Sequence, residues 1–167
     1  MTQGGDVRPR QVSRWRDDRF ERTVFLVAAD TVDDWPLTPP WVSAAFGLFI
    51  ASDQEIDAGT VAERAIAQGL ALVAAWGPRC EHVEDIFDEE RVGDGTRSET
   101  DETVIMTTSH PDESLSEALD YFLVTSFPAD AYVESCQAWV VFAIGSVGAK
   151  LEGALHDRGA HRLDATP

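Results

Sequence analysis

The amino-acid sequence predicts an α/β fold: one three-layer sandwich around a mostly parallel sheet of about five strands, of the Rossmann-like or flavodoxin-like kind. Three observations carry this expectation. Five short apolar runs rich in β-branched and aromatic residues alternate with segments of helical period. The links from helix to following strand are short, as in the β-α-β crossovers that set strands parallel. With 167 residues, 44% of them hydrophobic, the chain suits one compact core. Strand order is not legible, and an antiparallel pairing of the first two strands stays open.

Residues 1 to 22 lack apolar periodicity and read as a flexible, arginine-rich N-terminal arm, followed by one domain over 23–158 and a polar tail over 159–167. Thr23 to Ala29, T-V-F-L-V-A-A, is continuously apolar, as a buried strand requires. The prolines of D-T-V-D-D-W-P-L-T-P-P-W then exclude regular structure. Ala44 to Ala51 is the second strand, with Gly47 a packing gap or bulge. A helix follows, capped by Asp57, stapled by Ile56 and Val61, and stopped at Gly69. Leu70 to Trp76 is the third strand. Pro78 opens a second helix that Gly93 ends, with Cys80, Val83, Ile86 and Phe87 inward. Glu81, Glu84, Asp85, Asp88, Glu89 and Glu90 read as its wet outer face, since like charges at i, i+4 repel. After a polar loop over 93–102 comes a fourth strand, Thr103 to Thr108. Ser114 and Glu117 form a capping-box pattern for a helix that buries Leu119 and Phe122 and closes at Pro128. A short connection, one helical turn within it, leads to a fifth strand at Ala138 to Ile144. A last helix carries Val147, Leu151, Ala154 and Leu155 inward.

The formal charge is −17, unevenly spread. Residues 1 to 22 hold six arginines against four acidic residues, a net +2, so the remainder carries −19. Such a body repels phosphates and anionic lipid surfaces, which excludes a membrane partner and disfavours nucleic acid for the folded part. Lys150 is the only lysine. No apolar run spans a bilayer and the start has no apolar signal core, so a cytoplasmic location is expected. Cys80 and Cys136 read as buried thiols. A zinc site from Cys80, His82, His110 and Cys136 lacks ligand spacing, and helix geometry turns Cys80 and His82 to different faces.

If the five strands share one direction, their C-terminal ends gather the polar residues into one crevice, where open α/β sheets bind ligands. The expected ligand-binding set is Asp53, Trp76, Arg79, Thr108 and His110, with an indole face and a guanidinium suited to a planar or anionic molecule. His110 with Asp112 or Glu113 beside it is the weak candidate for acid-base chemistry, set against a structural reading in which the imidazole caps the next helix. Asp30 and Asp53 are weak candidates for a divalent cation. The other strand ends do not complete a receiver-type phosphoacceptor site, and the sequence has no dinucleotide glycine fingerprint, no P-loop and no nucleophile elbow.

The blocks W-G-P-R-C-E-H-V-E-D-I-F-D-E at 76–89 and M-T-T-S-H-P-D-E-S-L-S-E-A-L-D-Y-F-L at 106–123 resemble a family of small, uncharacterised bacterial α/β domains. The resemblance spans roughly residues 23 to 145 and implies the fold, with no activity or cofactor attached. Ser109 and Asp120 stand where that family carries aromatic residues. The resulting expectation is a non-enzymatic sensing or interaction module for a small molecule or a protein, of unknown ligand and cofactor. A metal-assisted hydrolase or nucleotide-processing enzyme using Asp30, Asp53 and His110 is the alternative. An acidic inhibitor or immunity-type protein is the third reading.

Overall fold

A computed structural model describes residues 10–16, 21–39, 41–93, 95, 100 and 104–163. Six strands form one sheet: β1 (Arg10–Arg16), β2 (Glu21–Ala29), β3 (Ala45–Ser52), β4 (Leu70–Trp76), β5 (Met106–Ser109) and β6 (Cys136–Ile144). The helices are α1 (Gly59–Ala67), α2 (Cys80–Val92), α3 (Leu115–Asp120) and α4 (Val147–Leu163). The sheet order is β1-β2-β6-β3-β4-β5, and β2, β6, β3, β4 and β5 all run parallel. Strands β2 and β3 are not paired, because β6 lies between them.

The apolar runs become the central strands for a simple reason. A parallel strand covered on both faces must be apolar at every position, and β3 is buried along its whole length while β6 is exposed only at Gln137. Alternate residues feed two cores. On one face Phe46, Leu48, Ile50, Val73 and Phe142 pack against α1, α2 and the two indoles Trp35 and Trp41 of the β2–β3 loop. On the other, Phe49, Leu72, Trp139 and Val141 pack against α3 and α4 through Leu119, Phe122, Leu151 and Leu155. Each such side chain contributes about 1.5–3 kcal/mol when fully buried.

Local signals act where the sequence puts them, with small displacements. Asp57 accepts from the Gly59 N–H at 3.0 Å, and Gly69 ends α1 at φ +103°. Ser114 and Glu117 form both halves of the capping box. The α3 helix, however, runs only to Asp120 and continues as a π-turn over Tyr121–Thr125. Its end is fixed from inside: Arg22, nearly fully buried, donates to the Leu123 carbonyl at 2.8 Å and lies over the Trp139 ring at 3.9 Å. Strand β5 is shorter and later than the run at 103–108.

Three expectations are corrected here. The span 10–16, expected to be an arm without regular structure, is β1, an antiparallel edge strand on β2; residues 1–9 and 17–20 of that arm lie outside the described residues. Two of the six α2 carboxylates do not merely face water. Asp88 accepts from the Thr107 hydroxyl at 2.9 Å and Glu84 from the Ser109 hydroxyl at 2.5 Å, tying the helix to β5. The α4 helix also runs to Leu163, past the expected start of a tail at 159. No described helix is long and apolar enough to cross a membrane.

Candidate functional site

The topology decides where the strand ends can open. Chain leaving β2, β3 and β4 passes to the face of α1 and α2, whereas chain leaving β5 and β6 passes to the face of α3 and α4. Neighbouring strands whose exits diverge leave a crevice between them. This happens at three places along the C-terminal rim: β2/β6, β6/β3 and β4/β5. The polar residues anticipated in one crevice are therefore distributed over three.

At β6/β3 a side-chain bridge spans the gap. The Ser146 hydroxyl donates to the Asp53 carboxylate in a short hydrogen bond. That bond, above all, lowers the Asp53 pKa, with Lys150 a lesser positive influence. A Cβ on Gly145, itself at φ +79°, would strike the same carboxylate. At β2/β6 a cleft of about 330 Å³ is lined by Asp30, Asp34 and Glu152 together with small residues, Gly145 and Gly148 among them. Asp30 and Asp53 thus belong to strands two places apart, roughly 9–10 Å across the sheet, and His110 to a strand two places further on. Among the described residues, no three His, Cys, Asp or Glu side chains form a group that could hold a metal ion.

The β4/β5 crevice brings most of the expected set together. Trp76, Gly77, Pro78, Arg79, Cys80, Glu81, His110, Pro111 and Glu113 line a cavity of about 310 Å³. Its floor is built by backbone: the His110 N–H donates to the Ala75 carbonyl at 3.0 Å, continuing the β4/β5 ladder to the rim. One wall is the turn into α2. Gly77 at φ +120° lets this turn lie against the Ser52 carbonyl, where any Cβ would collide. Arg79 takes the left-handed conformation at φ 55°, the only described residue besides glycine at positive φ. Holding a non-glycine residue there costs about 1–3 kcal/mol, and strain of this kind collects at ligand clamps. Its guanidinium extends into solvent and meets Glu55 at 3.6 Å, rather than the carboxylates of α2.

The opposite wall is the turn into α3. The Trp76 indole N–H donates to the Glu113 carbonyl at 2.8 Å, pinning the ring across the gap. The His110 imidazole is only 4% exposed. Its Nδ1 lies 3.3 Å from a Glu113 carboxylate oxygen, its Nε2 3.3 Å from the Thr108 hydroxyl, and its ring packs on Tyr121. The helix is capped by Ser114 instead, so His110 is not the cap. Thr108 reaches the crevice only through this imidazole, and its own side chain lines a separate groove on the α3 face. Asp112 makes no described contact with His110; Glu113 is the carboxylate that does.

Cys80, the first residue of α2, is buried in the same wall. Backbone N–H groups of His110 and Glu81 act on its sulfur, but burial dominates and pushes the thiol pKa up. Cys136 is pushed up to about 12, also by burial, with Arg22 opposing. Neither thiol is an activated nucleophile. Glu55 and Cys80 are the site residues that the sequence pattern placed elsewhere or did not mark. Of the two carboxylates expected beside His110, Glu113 is the one that meets it.

Residues 22–153 match the family described as Domain of unknown function (DUF7684). The chain belongs to this family. Its DUF7684 span opens at Arg22, the buried arginine that holds the π-turn, and contains β3 to β6, all of β2 except Glu21, and the entire β4/β5 crevice. Strand β1 lies outside it. Among curated proteins, the comparison finds no match.

Proposed function

We propose that this DUF7684 protein is a non-enzymatic binding domain that takes a small molecule in the β4/β5 crevice. The observation that carries the proposal is the single lining shared by Trp76, Arg79 and His110 around a cavity of about 310 Å³, at the lower end of the size of small-molecule pockets. The indole offers a flat apolar surface. The guanidinium offers charge-assisted hydrogen bonds on an otherwise acidic protein, which favours a planar ligand with an anionic group. The buried imidazole is already bonded at both nitrogens, so its role here is to hold Glu113 and Thr108 in place. A binding role fits the chemistry better than turnover, because the two thiols are suppressed and the carboxylates Asp30 and Asp53 sit on other parts of the rim.

The test is ligand-induced stabilisation. Planar carboxylates and nucleoside monophosphates, added singly, are expected to raise the melting temperature by mass action on the folded state. The increase should vanish in Arg79→Ala and shrink in Trp76→Leu. A rise that survives both substitutions would place binding elsewhere. Stabilisation by Mg²⁺ or Mn²⁺ that is lost in Asp53→Asn would instead support the hydrolase reading.

A further inference from the structure

We infer that the outer edge of β5 is a docking surface for an extended segment of another protein in which basic and apolar residues alternate. Strand β5 ends the sheet, paired with β4 alone among the described strands. The His110 N–H points to β4, and backbone direction alternates along a strand. The N–H and C=O groups of Thr107 and Ser109 therefore point outward from the sheet. An incoming strand would meet them as its hydrogen-bonding partners, in the mode by which extended peptides add to sheet edges.

The two sides of this edge differ in chemistry, and that difference defines the partner. On the α2 side Glu84 and Asp88 accept from the Ser109 and Thr107 hydroxyls of β5; Arg91, 3.7 Å from Asp88 and bonded to the Ile105 carbonyl, offsets part of that charge near the strand's start, so the acidic character is strongest at Glu84 beside Ser109. On the α3 side lies an apolar groove of about 250 Å³ lined by Met106, Tyr121 and Phe127 with Leu72 beneath. These three large side chains are exposed by 44%, 37% and 42%. Edge strands are ordinarily blunted by charge or cover, and an apolar exposure beside one marks an interaction site. Side chains of an added strand alternate between the two faces. Its basic residues would then face the carboxylates while its apolar residues enter the groove. Charge selects a foreign partner over a second copy, since two chains of −17 repel.

The test uses the full chain and the peptide Arg-Val-Arg-Val-Arg-Val-Arg, with three controls: a reordered peptide of the same composition, a Glu-for-Arg version, and one N-methylated at alternate amides. The alternating peptide is expected to bind, with the amides of Thr107 and Ser109 becoming protected from hydrogen exchange, and all three controls at least about tenfold weaker, or 1.4 kcal/mol. Met106→Lys should weaken binding by a similar factor without lowering the melting temperature, and Arg79→Ala should leave it unchanged. Equal binding by the reordered or N-methylated peptide would overturn the inference, as would no binding. Protection of Thr107 and Ser109 before any peptide is added, together with a dimer in sedimentation, would assign the edge to a second copy and overturn it too.

Discussion

The β6/β3 and β4/β5 ends of the same sheet share a topology and differ in outcome. At both, chain leaving adjacent parallel strands departs to opposite faces. At β6/β3 a serine hydroxyl and a carboxylate meet directly across the divide. At β4/β5 the corresponding bridge is an indole N–H to a backbone carbonyl, long enough to leave a lined cavity beneath. A diverging pair of strand ends is thus necessary for a crevice, and the reach of the bridging groups decides whether one stays open.

Gly77 ties the two ends together, since its turn lies against the Ser52 carbonyl of β3 while lining the β4/β5 cavity. Gly77→Ala forces a Cβ into the Ser52 carbonyl at a positive φ and should cost about 3 kcal/mol or more, read by denaturant unfolding. Phe122→Ala, which empties the core under the π-turn between Phe49 and Trp139, should cost about 3–5 kcal/mol. A variant as stable as the parent would show that the turn is not anchored there. Trp76→Phe keeps an aromatic ring but removes the fused pyrrole with its bridging N–H, so a loss of only about 0.5–1.5 kcal/mol is expected at this half-exposed position.

The smallest effect belongs to the β6/β3 end. The Ser146 hydroxyl lowers the Asp53 pKa from its ordinary 3.8, so the stability it contributes is present at neutral pH. That contribution fades as pH falls from the ordinary value through the lowered one. Asp53→Asn should flatten the acid limb of the stability curve slightly, the group being exposed. Steeper acid dependence in the variant would contradict the assignment. The open end makes a separate prediction about Cys80: although it lines the cavity, its thiol should react with alkylating reagents at pH 8 far more slowly than in the unfolded chain, and Cys136 likewise.

The central strands β3, β4 and β6 were legible because full burial on two faces writes itself as unbroken apolar runs, and Leu70–Trp76 matches β4 residue for residue, whereas the half-exposed M-T-T-S of β5 starts three residues after the run expected at Thr103. Caps were legible because they are local: Asp57, Gly69 and the Ser114–Glu117 pair act within a few residues. Strand β1 was not, since an arginine-rich edge strand lacks the apolar period that marks a buried one. Arg22 was missed for a related reason: its burial is offset by the Leu123 carbonyl and the Trp139 ring, both about a hundred residues away. The candidate site was half legible. Trp76, Arg79 and His110 share one lining, while Asp30 and Asp53 do not enter it, because the strand order sets them at other strand ends and no local pattern encodes that order, and Thr108 does not because its side chain turns to the α3 face.

In the proposed function the β4/β5 crevice, and not the rest of the rim, receives the ligand. Backbone and indole chemical-shift mapping against a library of small planar anions tests it most directly. The account predicts that perturbed resonances gather on the Trp76 indole N–H, Gly77, Cys80, Glu81 and His110, with Asp53 and Ser146 unmoved. Shifts centred on Asp30, Gly145 and Glu152, or none from any compound, would contradict it.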